Sequence, residues 1–135
     1  MTALSLSAAE QLRDKLQAAL DAKKWKWVAA PEEPANVNRQ RFGAVWRTRL
    51  AAASNGRLDT ELVINIYGAK AAPGEATERE LDDALDQVLL VLQAQPGIKF
   101  QEATRVVFKE VFAGWDVRFS VNHNNFYAEQ VRKNG

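Results

Sequence analysis

Apolar positions fall into two helical stripes, each followed by stretches that alternate like strands. Leu12, Leu16, Ala19 and Leu20 recur at helical spacing behind Ser7 and Glu10, which have capping-box spacing. A second stripe, Leu81, Ala84, Leu85, Val88, Leu89 and Leu92, follows a second box at Thr77 and Glu80 and runs to about Gln95, before Pro96-Gly97. After the first helix, Trp25, Trp27 and Ala29 alternate with Lys24, Lys26 and Val28, and Pro31 and Pro34 stop that strand. Residues 31 to 41 have no periodicity and form the longest irregular connection.

Two hairpins complete the pattern. Ala44, Trp46, Thr48 and Leu50 alternate against Leu62, Ile64 and Ile66 around Asn55-Gly56. A three-residue loop, Asn55 to Arg57, with a bulge pairs Leu50 with Leu62 and Trp46 with Ile66, which buries one side. The distal half, residues 51–60, has little apolar bulk: it reads either as an arm beyond the core or as a disordered loop. A tight turn at Ala113-Gly114 sets Phe112 against Trp115, Phe108 against Phe119 and Val106 against Val121, with Glu110 opposite Val117. The outer face of that hairpin then carries Val107, Val111, Arg105, Lys109, Asp116 and Arg118.

These elements predict an α+β fold in the order α-β-β-β-α-β-β, with two helices on a mainly antiparallel or mixed sheet of about five strands. Residues 1–135 make one domain, with its core over about 7–121 and a polar, extended tail from 122 to 135. Cysteine is absent, which excludes disulfides, thiolate metal sites and a cysteine nucleophile. A net charge of +1 leaves no global field for nucleic acid or membrane. No signal-peptide pattern or membrane span is legible, so the chain reads as soluble and non-secreted.

Chemistry is sparse. His123 lies in the polar stretch Asn122 to Asn125 and reads as a solvated loop residue; a pairing with Ser120 and Asp116 has no nucleophile-elbow context. The glycines from Gly68 to Gly74 lack phosphate-loop spacing. The expectation is a non-enzyme with no catalytic, cofactor or metal residues and no cofactor.

Charge is patterned instead. Glu78, Asp82 and Asp86 share one exposed helical stripe, which is a solvated face, a weak cation site or a surface awaiting a basic partner. Lys23, Lys24, Lys26, Arg39, Arg41, Arg47, Arg49 and Arg57 face only Glu32 and Glu33 in their stretch. That region is a solvated sheet face, a small nucleic-acid-binding module, or a patch complementary to another copy's acidic helix. The candidate interface residues are Arg41, Arg47, Arg49, Asn55, Gly56, Arg57, Glu78, Asp82 and Asp86.

The element order, the Asn-Gly hairpin with its long arm, the acidic helix at 77 to 95 and the closing Phe/Trp hairpin resemble tail terminator proteins of long-tailed, non-contractile bacteriophages. The resemblance is one of layout over residues 7 to 121. It implies a hexameric ring in the virion tail, assembled in the host cytoplasm, that caps the tail tube, ends its elongation and joins the head connector. The implied partners are other copies, the tail-tube protein and a connector or neck protein, with DNA only passing through the lumen and no membrane. The family has no enzymatic activity, and it offers no residue-level motif to carry over. Another neck or head–tail connector protein shares parts of this layout.

Overall fold

Helical apolar stripes lay two helices on one face of a five-stranded sheet. The computed structural model describes residues 8–31, 40–68, 74–108, 112–125, 127–128 and 131–132. Its elements are α1 (Ala8–Ala19), β1 (Trp25–Val28), β2 (Arg41–Ala52), β3 (Arg57–Tyr67), α2 (Glu75–Gln93), β4 (Ile98–Phe108) and β5 (Phe112–Asn124). The fold is α+β, in the element order the sequence predicts. In space the strands run β1-β2-β3-β5-β4; β1 is parallel to β2, and every other pair is antiparallel.

Leu12 and Leu16 of α1 and Ala84, Val88 and Leu92 of α2 share one core with Trp25, Trp27, Val45, Leu62, Ile64, Ile66, Val117 and Phe119. A smaller cluster, Phe42, Ala44 and Tyr67 with Val28 and Trp46, occupies the opposite face. Ser7 of the first capping box lies outside the described residues. The second box does not start its helix: α2 begins at Glu75 behind Gly74, whose φ of 140° suits glycine, and Thr77 is buried in the first turn.

Both hairpin registers differ from expectation. The β2–β3 loop has three residues, but they are Ser54–Gly56, closed by the Ala53 N–H donating to the Arg57 carbonyl at 2.8 Å. Leu50 pairs with Thr60 and Trp46 with Val63, with a bulge between Arg47 and Arg49. Val45, opposite Ile64, therefore faces the helices, while Ala44 and Trp46 lie on the other side. Apolar alternation selects a register only where one face is polar, and here Phe42, Ala44, Val63 and Tyr67 are buried on the second face too. The β4–β5 register sets Phe108 against Phe112, Val106 against Gly114, Phe100 against Phe119 and Ile98 against Val121. Gly114 sits inside β5, where a Cβ would strike the Ile66 carbonyl of β3, so it marks a close strand approach and not a turn. Glu110 and Val111 lie outside the described residues.

The distal hairpin is neither a free arm nor a disordered loop. β3 pairs with β5 along its whole length, out to Arg57 opposite Asn124. β5 thus continues past residue 121, and residues 127–128 and 131–132 are helical where an extended tail was expected. The bulge of β2 lies beside Leu62, Leu62 pairs with Phe119, and Phe119 pairs with Phe100 at the irregularity of β4. Bulges bend strands and raise local twist. Two at one level, flanking β3 and β5, turn the distal sheet into a trough of about 630 Å³ lined by Arg49, Asp59, Glu61, Lys99, Ser120 and Asn122.

Candidate interaction surfaces

Two arginine clamps fix α2 astride the sheet. On one flank Arg41 of β2 donates from Nε to Glu80 Oε1 at 2.7 Å and from a terminal nitrogen to Asp83 at 3.0 Å. Its guanidinium lies 5.3 Å from the centre of the Trp25 ring, and Trp25 Nε1 donates to Gln87 Oε1 at 3.4 Å. On the other flank Arg105 of β4 forks onto both oxygens of Glu78 and lies 5.4 Å from the Trp115 ring centre. Trp115 Nε1 donates to the Leu81 carbonyl at 3.1 Å. Positions 80, 83 and 87 thus face the β2 side and position 78 the β4 side, as helical spacing requires.

The arrangement redistributes the candidate residues. Arg41 and Glu78 are engaged within the chain, in different clamps. Arg105, expected on the outer face with Asp116 and Arg118, instead pairs with Trp115 on the helix side, and it answers the acidic stripe. Asp116 and Arg118 bridge one another at 3.1 Å. Arg47 donates to the Tyr127 hydroxyl at 3.4 Å, and the largely exposed Arg49 reaches Glu61 at 3.4 Å. Asn55 and Gly56 form the exposed hairpin tip, beside Arg57, which donates to Asn122 and Asn124. Asp82 and Asp86 are exposed along α2, and Lys23, Lys24 and Lys26 are exposed at and before β1. The candidates therefore do not converge on one site: Arg49 lines the distal trough, Asn55, Gly56 and Arg57 sit at the hairpin tip, Arg47 reaches Tyr127, and Arg41, Glu78, Asp82 and Asp86 lie along the flanks of α2. The clamps and the trough depend on pairings over long sequence separation, which no local pattern announces.

The Arg105 hydrogen bonds hold the Glu78 carboxyl below the usual carboxylate range, with partial burial opposing and the charge of Arg105 adding to them. The same bond raises Arg105. A carboxyl with a depressed folded-state pKa stabilises above its unfolded pKa, and the contribution is lost as pH falls through the folded value. In Arg105→Gln the Glu78 side-chain titration, followed by carboxyl-carbon NMR, moves upward toward the usual range. An unmoved midpoint would remove the clamp from solution.

His123 is not a solvated loop residue. It lies in β5, opposite Leu58, with Nε2 2.7 Å from Thr60 Oγ1 and Nδ1 2.8 Å from the Asn124 carbonyl. A carbonyl only accepts, so Nδ1 carries the proton and, in the neutral ring, Nε2 accepts from the buried Thr60 hydroxyl. Ser120 lies at even strand parity, on the face opposite His123, so Ser120, His123 and Asp116 do not assemble a triad. Among the described residues no group of three His, Cys, Asp or Glu side chains is placed to hold a metal ion. No described helix is long and apolar enough to cross a membrane.

Comparison with protein-family models and with characterised proteins finds no match to this chain.

Proposed function

We propose that this chain is a structural subunit of a phage virion, a tail terminator whose copies form a ring of six. The ring caps the tail tube, ends its elongation and presents its other face to the head connector, with DNA passing through the lumen. The observation that carries the reading is the separation of unlike exposed charge onto different flanks of one chain. Acidic Asp82 and Asp86 line α2, and Lys23, Lys24 and Lys26 surround β1. Two unlike patches on identical chains join head to tail, and such contacts close into rings when the rotation permits. The polar side chains that could have served chemistry support the reading as well: Arg41, Arg105, Gln87 and His123 are spent on holding elements together. The basic stretch 23–57 is divided among a sheet edge, the α2 clamp and the hairpin tip, which weighs against a single nucleic-acid-binding face.

Light scattering and negative-stain microscopy of the purified chain test this reading. Rings near six times the 15.1 kDa subunit are expected, and they arrest growth when added to polymerising tail-tube protein. A chain that stays monomeric at high concentration and leaves tube length unchanged would overturn it.

A further inference from the structure

We propose that copies of this chain join by extending the sheet, with the outer edge of β4 in one copy pairing antiparallel with the outer edge of β1 in the next. The inference rests on the ring reading and names the surface that makes it.

The two ends of the sheet carry the argument. β4 lies last in the strand order, spans eleven residues and, among the described residues, pairs only with β5. β1 lies first, spans four residues and pairs only with β2 among them. The outward backbone donors and acceptors of an edge strand are a template for another strand. On the helix side β4 also exposes Phe100 (39%) and Val107 (66%). Apolar bulk on a long edge strand is what solitary proteins avoid.

Strand direction decides how the edges meet. β1, β2 and β5 run one way, and β3 and β4 run the other. A second copy that continues the sheet with its helices on the same side therefore sets β1 antiparallel to β4, the more favourable ladder. The joined edges are different surfaces, so the contact is heterologous and repeats from copy to copy.

Charge favours this occupant over a two-fold β4–β4 pairing. Lys26 sits opposite Phe42, and Glu102 sits opposite Arg118 in the row that contains Val63 and Trp46, so both point to the helix-free face. A register that sets Lys26 against Glu102 makes a cross-strand ion pair. The same contact brings the exposed Asp82 and Asp86 of α2 in one copy toward the exposed Lys23 and Lys24 that lead into β1 of the next. Lys99 and Arg105 are the basic groups on β4; Arg105 is already matched by Glu78. A β4–β4 contact would instead set the acidic flank of α2 against its own copy.

Sedimentation velocity with hydrogen exchange tests the edge. Wild-type assembly should protect amides within residues 25–28 and alternate amides within 98–108, relative to dilute monomer. Lys26→Glu and Glu102→Lys, both at exposed positions, should each weaken association about tenfold, and the double swap should restore it. Matching thermal unfolding of the monomers shows that the fold is retained. Rings that form unchanged in both variants, without protection at these strands, would overturn the edge and leave the ring reading on another surface. A species that stops at two copies would do the same in favour of β4–β4 pairing. A wild-type chain monomeric at every concentration would overturn both readings.

Discussion

Replacing Gly43 with alanine will destabilise the protein by about 3 kcal/mol, at the upper end of overpacking costs. Gly43 lies in β2 opposite Trp27 on one side and Ile66 on the other. A Cβ built there meets three atoms of the Trp27 ring, which lies directly over the glycine. The ring has nowhere to go: Trp27 stacks on Trp25 with centroids 5.1 Å apart and planes 13° apart, and both are buried. Trp25 in turn lies under Arg41. Relief requires moving β1, the stacked rings or the clamp. The midpoint of chemical denaturation should fall with little change in slope, and Tm by roughly 10 °C. Gly56→Ala is the control. Gly56 has φ of 72° and no atom within 4 Å of an added Cβ, so only backbone strain of about 1–2 kcal/mol follows. Equal losses at the two glycines would mean that Trp27 does not cover Gly43 in solution.

That glycine shows how much of the fold was legible from sequence. The helical stripes and the alternating runs specify each element, because burial on one face imposes a period that the chain must carry. Gly43 carries no such mark: it sits between Phe42 and Ala44 in an ordinary strand pattern. The hairpin registers differ from the pattern's expectation for a related reason. Residues 42–46 and 63–67 bury side chains on both faces, and a pattern without a polar face selects no register. Gly114 misled because the same residue serves a turn and a close strand approach, and only the position of β3 decides between them.

The candidate surfaces were half legible. The acidic stripe and the basic stretch are visible as charge runs, and Asp82 and Asp86 do lie exposed. Which charges remain for a partner depends on which are matched within the chain, and that is a tertiary property. Glu78 and Arg41 looked equivalent to their neighbours in sequence. Arg105 and Glu80, 27 and 39 residues away respectively, match their charges within the chain. The trough depends on two bulges meeting at one level across four strands, and no single strand encodes that coincidence.

Loss of Arg41 should be the most damaging change among the charged residues, because its partner is largely shut off from water. Arg41 and Glu80 side chains are each only 13% exposed. Removing one member of a buried pair strands the other, at a cost of about 3–5 kcal/mol, whereas replacing both by apolar groups of similar volume is often nearly neutral. Arg41→Met should therefore lose about 3 kcal/mol, and Arg41→Met with Glu80→Leu should recover most of it. Asp83, at 57% exposure, stays solvated in either variant and contributes little. The opposite clamp provides the contrast: Glu78 is 56% exposed, so Arg105→Gln releases a carboxylate into water and should shift stability far less. Denaturant unfolding of the four proteins decides the matter. Comparable losses in Arg41→Met and Arg105→Gln, or no recovery in the double variant, would show that burial of the Glu80 carboxylate is not what makes this flank sensitive. If the ordering holds, the β2 flank of α2 is the rigid side of the domain. The β4 flank, where the Glu78 carboxylate is exposed and water can replace its partner, is then the side whose contacts exchange at lower cost.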